Sequence, residues 1–420
     1  MEDELAMIEK NGTWKLVDRP TAQPIIGVKW VYKTKLNLDG SVLKNKARLV
    51  AKGLKQAPRA WYGEIDTYFS QCGFEKSLSE PTLYIKARGQ DILIVSIYVD
   101  DIVYTGSDRL MLDEFKEDMK RKYEMTDLGL LHHFLGMGVI QTNFSIFIHQ
   151  KKYASSLLSK FGLNECKSVI TPLVATEKLT KDDGSGAVSE ELYRSIVGSL
   201  LYLTATRPDI MYASSLLARF MHCPTSKHFG TAKRVLRYIK GTLDYGLEYT
   251  KGKEAMLIGY CNSDWGGSPD DSKNTSGYVF SFGSGVFSWA SVKQSCVALS
   301  TAEVEYISAS NATAQAIWLR FVLEDFGELQ TEATPLHCDN TSAIAITKNS
   351  VFHQKTKHID RRYHFIKDAL QEGIIDLIYC PTEEQMADIF TKPLAKDRFN
   401  YLRSMLGVKS TQDLKGSVEL

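Results

Sequence analysis

Residues 92–105 read Ile-Leu-Ile-Val-Ser-Ile-Tyr-Val-Asp-Asp-Ile-Val-Tyr-Thr. Two apolar runs rich in β-branched residues, parted by adjacent carboxylates, fit two buried strands joined at an acidic break. Buried side by side without partners, Asp100 and Asp101 would cost several kcal/mol. A divalent cation removes that cost, because Mg2+ takes one or two carboxylates plus substrate phosphates, and a turn between buried strands holds them rigidly. The plain alternative is a surface turn, where Asp is common. The apolar strands flanking Tyr98-Val99-Asp100-Asp101 make the metal reading the stronger of the two.

The rest of the chain narrows the setting. No apolar run among the 420 residues reaches the length of a membrane span, so a soluble chain is expected. Met1-Glu2-Asp3-Glu4 is acidic and lacks a signal peptide's apolar segment, which speaks against secretion. Seven cysteines, all scattered singly, suggest neither a disulfide framework nor structural zinc, and point to a reducing compartment. Net charge is +1, yet nine cations crowd residues 29–59, interleaved with Trp30 and Tyr32. That pattern suits a surface meeting phosphates and bases, or equally a solvated basic hairpin.

Periodicity places strands at 28–34 and 47–52 about an Asp39-Gly40 turn, a helix at 59–69, and a helix after Ser107 or Asp108. A hairpin at 134–148 and a helix at 151–161 follow. Residues 178–189, with Asp182-Asp183-Gly184-Ser185-Gly186, read as a flexible connection. A helical block occupies 190–240; its last helix carries Lys233, Arg234, Arg237 and Lys240, a face that would track a phosphate backbone or simply be solvated. Beyond 256 come three strands, a long helix at 301–326, and further strands and helices ending in a helix at 383–390. That order describes an α/β domain with a mixed sheet.

Tyr98-Val99-Asp100-Asp101 resembles the polymerase box of reverse transcriptases. Leu54-Lys55-Gln56-Ala57-Pro58-Arg59-Ala60-Trp61-Tyr62 resembles a signature of copia-type retrotransposon Pol polyproteins. So do Asn11-Gly12-Thr13-Trp14, Lys29-Trp30-Val31-Tyr32-Lys33, Lys46-Ala47-Arg48-Leu49-Val50-Ala51-Lys52-Gly53, Phe134-Leu135-Gly136 and Thr206-Arg207-Pro208-Asp209. The resemblance runs to about Leu406, without the capsid, protease and integrase portions. It implies Asp100 and Asp101 as catalytic metal ligands, Gln56 near the incoming nucleotide, and Arg48 with Lys46 at its triphosphate. Paired metals would orient the attacking oxygen and neutralise the leaving group.

One departure weighs more than the matches. The family separates the Lys-Ala-Arg-Leu-Val-Ala-Lys-Gly and Leu-Lys-Gln-Ala-Pro-Arg runs by several dozen residues that include another metal-binding Asp. Here Leu54 follows Gly53 directly, and no Asp lies between Asp39 and Asp66. Polymerase activity is therefore not expected. An excised stretch in a gene model explains the join equally well.

In the C-terminal part the resemblance is to the family's ribonuclease H domain, which it implies uses Glu305, Asp339 and Asp388 as two-metal ligands. His358-Ile359-Asp360 followed by Tyr363-His364-Phe365 fits the same pattern. The family's first strand reads Gly-Tyr-x-Asp-x-Asp-Trp; here Gly259-Tyr260-Cys261-Asn262-Ser263-Asp264-Trp265 puts Asn262 at the ligand position. A neutral amide binds Mg2+ far less well, costing several kcal/mol on the scale of charge-assisted contacts. Asp264 would share a face with Asn262 but sit about 7 Å along the strand.

The expected architecture is α+β and α/β: truncated polymerase fingers and palm at 1–170, a linker and helical thumb or connection at 171–250, a ribonuclease H-like mixed-sheet domain at 255–406, and a tail at 407–420. The expected function is an RNA-directed DNA polymerase with ribonuclease H, both activities lost or reduced. Its partners would be RNA template, RNA–DNA hybrid and deoxynucleotides, its metal Mg2+, and its place the cytoplasm, in virus-like particles, or the nucleus. A nucleic-acid-binding relic and an untranslated gene model are the alternatives.

Overall fold

The computed structural model describes residues 28–36, 42–51, 57–252, 255–349 and 363–414, with side chains from residue 61 onward. The expectations for Gln56, for the join of Gly53 to Leu54 and for His358-Ile359-Asp360 lie outside the described residues, as do the side chains of Lys46 and Arg48. The chain divides into two compact units, Met1–Phe115 and Lys116–Leu420.

In the first unit, β1 (Val28–Leu36) and β2 (Val42–Ala51) pair antiparallel, Trp30 opposite Leu49. Helix α1 (Ala57–Gln71) precedes a second antiparallel sheet of β3 (Glu75–Lys76), β4 (Leu83–Arg88), β5 (Asp91–Tyr98) and β6 (Asp101–Gly106), in that order. Strand periodicity turns Leu93, Val95 and Ile97 to one buried face. Phe69 of α1 fills the space beside them, its ring centroid 5.0 Å from those of Phe74 and Tyr84. The second apolar run, expected to be a buried strand, is β6 at the sheet edge, with Ile102, Val103 and Tyr104 only half-buried. An edge strand packs on one side alone, which apolar composition does not reveal.

Helix α2 (Arg109–Lys122) leads across the division. In the second unit, β7 (His133–Phe134), β8 (Met137–Gln141) and β9 (Ser145–His149) form a meander followed by α3 (Lys151–Lys160). Then come α4 (Glu190–Leu203), α5 (Met211–Ala218) and α6 (Ser226–Lys240). Strand β10 (Tyr245–Thr250) returns to pair with β9. The mixed sheet holds β11 (Leu257–Ser263), β12 (Thr275–Phe282), β13 (Val286–Lys293), β14 (Thr334–Cys338) and β15 (Ile375–Tyr379), in order β13-β12-β11-β14-β15. The first three strands are antiparallel, and β11-β14-β15 are parallel. Helix α7 (Thr301–Asp325) covers this sheet, and α8 (Thr341–Lys348), α9 (Phe365–Gln371) and α10 (Lys396–Met405) complete the unit.

Several expectations need correction. Residues 407–420 do not begin as a tail, since β16 (Val408–Ser410) pairs with β10. The boundaries expected near 171 and 255 cross one continuous core that joins Leu157, Ile196, Val235, Phe390 and Leu402. Residues 178–189 are tied down. The Lys181 amide donates to the Asp270 carboxylate at 3.0 and 3.1 Å, and Asp183 accepts from Ser185 and Thr225. The helix expected at 383–390 is two 3-10 turns, Thr382–Glu384 and Met386–Phe390, because Gln385 between them is extended.

Candidate active site

The two Asp residues of the first unit sit at a hairpin tip. Tyr98 and Asp101 are paired across β5 and β6, leaving Val99 and Asp100 as the turn. Val99 has φ 58°, the left-handed region that a β-branched residue strongly disfavours, and its carbonyl accepts from the Trp61 indole at 2.7 Å. Asp100 and Asp101 are exposed, so the burial argument for a cation does not apply to them. No third carboxylate, thiol or imidazole joins them in a metal-sized group among the described residues. Val99→Gly relieves about 1 kcal/mol, and hydrogen exchange of the β5–β6 amides slows; unchanged or faster exchange would show the turn unstrained.

The second constellation follows from strand direction. Because β11 and β14 run parallel, their C-terminal ends lie at the same end of the sheet. Asn262 near the end of β11 and Asp339 just past β14 are brought to that end together. Ser300 caps α7 by accepting from the Glu303 amide, and Glu305 stands in the helix's first turns. Small buried residues, Ser308, Ala309 and Ala312, let α7 approach closely, and Ser308 Oγ donates to the Asn262 carbonyl at 2.7 Å. Asp388 enters from the Met386–Phe390 turn.

The group divides into two poles. Asp388, 2% exposed, accepts from Asn262 Nδ2 at 2.5 Å and pairs with Lys392 Nζ at 2.7 Å and Arg398 Nη2 at 3.3 Å. Its charge is matched from within the protein. At the other pole Glu305 Oε1 accepts from the Ser263 amide at 2.9 Å, while buried Oε2 has no hydrogen-bond partner. Burial, then the neighbouring Cys338 and Asp339, push the Glu305 carboxyl well above the usual range. Burial and then Asp388 also raise Asp339, whose Oδ2 accepts from Thr382 Oγ1 at 3.2 Å. One donor atom each from Glu305, Cys338 and Asp339 lies within 4.8 Å of the others.

A two-metal set needs carboxylates on both sides of the ions. Here the residues do not fit it, because an amide stands at 262 and hydrogen-bonds the carboxylate that should face a metal. Asp264 offers no substitute. Its carboxylate accepts from the Thr275 amide, and burial pushes it up to about 6. Of the expected phosphate contacts, exposed Lys233 lies 4.4 Å from the Phe229 ring, and Arg237 donates to the Lys167 carbonyl at 2.7 Å. Sequence reasoning missed the cations on Asp388. Lys392 was legible as an i,i+4 partner, whereas Arg398 reaches Asp388 from α10 with no local signal.

A hairpin-borne Asp pair in one unit and acids at the strand ends of a mixed sheet in the other are the arrangement expected of a reverse transcriptase joined to a ribonuclease H-like domain. The family model described as reverse transcriptase (RNA-dependent DNA polymerase) matches residues 52–175. The Pol polyprotein of transposon RE1 from Arabidopsis thaliana is 33% identical over 479 residues, covering 95% of this chain and 33% of that protein. A transposon Ty5-1 protein of Saccharomyces cerevisiae is 33% identical over 261 residues, 61% of this chain and 85% of that one. Among solved structures, LC11-RNase H1 from compost matches 33% of this chain and 93% of its own, at 15% identity and a TM-score of 0.26. This chain belongs to the Pol family of copia-type retrotransposons. It spans about a third of the length of RE1. Among the described residues no helix is long and apolar enough to cross a membrane.

Proposed function

We propose that the chain derives from an RNA-directed DNA polymerase with ribonuclease H, and that both centres are defective. The observation that carries this reading is the Asn262 amide donating to Asp388, which Lys392 and Arg398 already neutralise. In the intact family arrangement Asp100 and Asp101 would hold Mg2+ in the polymerase, and Glu305, Asp339 and Asp388 in the nuclease. Lys46, Arg48, Gln56, Lys233 and Arg237 would face nucleotide or template. Among the described residues Asp100 and Asp101 are exposed and no further ligand joins them in a metal-sized group, and β6 ends its sheet as a lost Asp-bearing strand would leave it. What remains is binding of RNA–DNA hybrid or duplex, in the cytoplasm or nucleus.

The alignment with RE1 supports a second reading. It runs over 479 positions, more than the chain's 420 residues, so RE1 has residues that this chain lacks. If the transcript encodes them between Gly53 and Leu54, the polymerase half is whole, and amplification across that join decides.

For the protein as it stands, hybrid binding is expected to weaken steeply between low and high salt, with neither RNA cleavage nor primer extension in Mg2+. Turnover at an ordinary rate refutes the defect, and salt-independent affinity removes the binding role.

A further inference from the structure

We infer that Glu305, Cys338 and Asp339 form a mixed thiolate–carboxylate site for a thiophilic divalent cation of the zinc kind. The donors are already gathered, all within 4.8 Å of one another. Around a tetrahedral zinc, sulfur and oxygen ligands stand roughly 3.5 Å apart, so the closure needed is about 1 Å. Glu305 supplies the observation that points to a ligand. It is 6% exposed, its Oε1 is fixed by the Ser263 amide, and its Oε2 is buried without a hydrogen-bond partner. A buried carboxylate oxygen left without a donor is rare and calls for a cation or a water.

Cys338 ends β14, fully buried, and its thiol donates to the Asn340 carbonyl at 4.0 Å. On binding, the metal–sulfur bond forms as the Cys338 thiol proton leaves to solvent. Asp339 is half-buried, which opens the site for ion entry and leaves a fourth position to water. Thiolate sulfur selects against Mg2+, a hard ion that requires oxygen ligands in near-octahedral geometry. Asp388, satisfied by Lys392, Arg398 and Asn262, is not available to complete an all-oxygen set. The inference shares Glu305 and Asp339 with the nuclease reading but does not require it, because its readout is binding.

Cobalt(II) is the probe, added to the full-length chain stripped of metal. One ion per chain should bind with a sulfur-to-cobalt charge-transfer band in the near ultraviolet, displaced by Zn2+ and not by excess Mg2+. Cys338→Ser should abolish the band and weaken binding roughly a hundredfold, the upper end of what even outer-shell changes cost. Cys380→Ser should leave both unchanged. Binding without the band, or a band that survives in Cys338→Ser, overturns the assignment. Should Cys338→Ser fail to fold, Asp339→Asn at its half-buried position decides, since unchanged cobalt affinity there also overturns it. A chain that cleaves hybrid normally in Mg2+ would sink the reading that its nuclease centre is defective, whereas cobalt binding and the Cys338→Ser band decide this one.

Discussion

Asn262→Asp lowers the thermal midpoint of the metal-free chain and regains it when Mg2+ is added. The reasoning starts from the hydrogen bond between the Asn262 amide and the Asp388 carboxylate, both 2% exposed. Substituting Asp turns a donor into a second anion at contact distance. Two carboxylates that close cannot both ionise freely, and an unpaired buried charge costs about 3 kcal/mol or more. Lys392 and Arg398 offset part of this, but they already serve Asp388. A cation placed between the two carboxylates removes the penalty, so the variant gains stability from Mg2+ through binding linkage.

The same variant tests the defect itself. With the fourth acid restored, cleavage of RNA in hybrid should rise by roughly a hundredfold or more, the scale of one lost electrostatic contact in a preorganised site. Thermal scans with and without Mg2+, beside a hybrid-cleavage assay, separate the outcomes. A variant as stable as its parent without metal would mean that Asp388 does not sense position 262. Metal rescue without cleavage would place the defect elsewhere.

How far the sequence reaches depends on whether a signal is local. Strands β5 and β11 were legible because burial alternates along them, and helix α7 because residues 301–325 hold no glycine or proline behind a capping Ser300. Asn262, Glu305, Asp339 and Asp388 were singled out by the motifs around them, and the parallel pairing of β11 with β14 is what brings the first and third to one end of the sheet. Residues 178–189 misled because Asp and Gly mark a flexible linker and a well-capped turn alike; Asp183 there accepts from Thr225, at the start of α6. Strand β16 was illegible for another reason, since three residues carry no period and their partner β10 lies far back in the chain. Cys338 read as one of seven scattered thiols until the fold set it beside Glu305.

Asp209→Asn should destabilise the second unit by about 3–5 kcal/mol. In Thr206-Arg207-Pro208-Asp209 the proline starts a 3-10 turn that folds Asp209 back onto Arg207. Arg207 Nε and Nη2 donate to the two Asp209 oxygens at 2.9 and 2.7 Å, with side chains 4% and 0% exposed. The guanidinium also donates to the Thr242 carbonyl and hydroxyl at 2.8 Å, and Tyr238 Oη donates to Asp209 Oδ2 at 2.5 Å. Arg403 of α10 reaches the Tyr238 hydroxyl at 3.0 Å, so one buried network ties the 207–209 turn to α6 and to the C-terminal helix. Burial alone would push the Asp209 carboxyl up, but Arg207, with Tyr238 and Arg403, more than reverses this and holds it below the ordinary Asp range. A folded-state pKa below the unfolded one gives stability that is present above the unfolded value and is lost as pH falls through the folded one. Asp209→Asn keeps the shape and deletes the charge, leaving Arg207 buried without its anion. At roughly 2–4 °C per kcal/mol, the midpoint should fall by about 10 °C near neutral pH, and the gap to the parent should close in acid. Replacing both partners, Arg207→Met with Asp209→Leu, should cost less than either single change, because no lone charge remains. Equal or greater loss in the double variant would mean that the network acts through its hydrogen-bond geometry rather than through its paired charge.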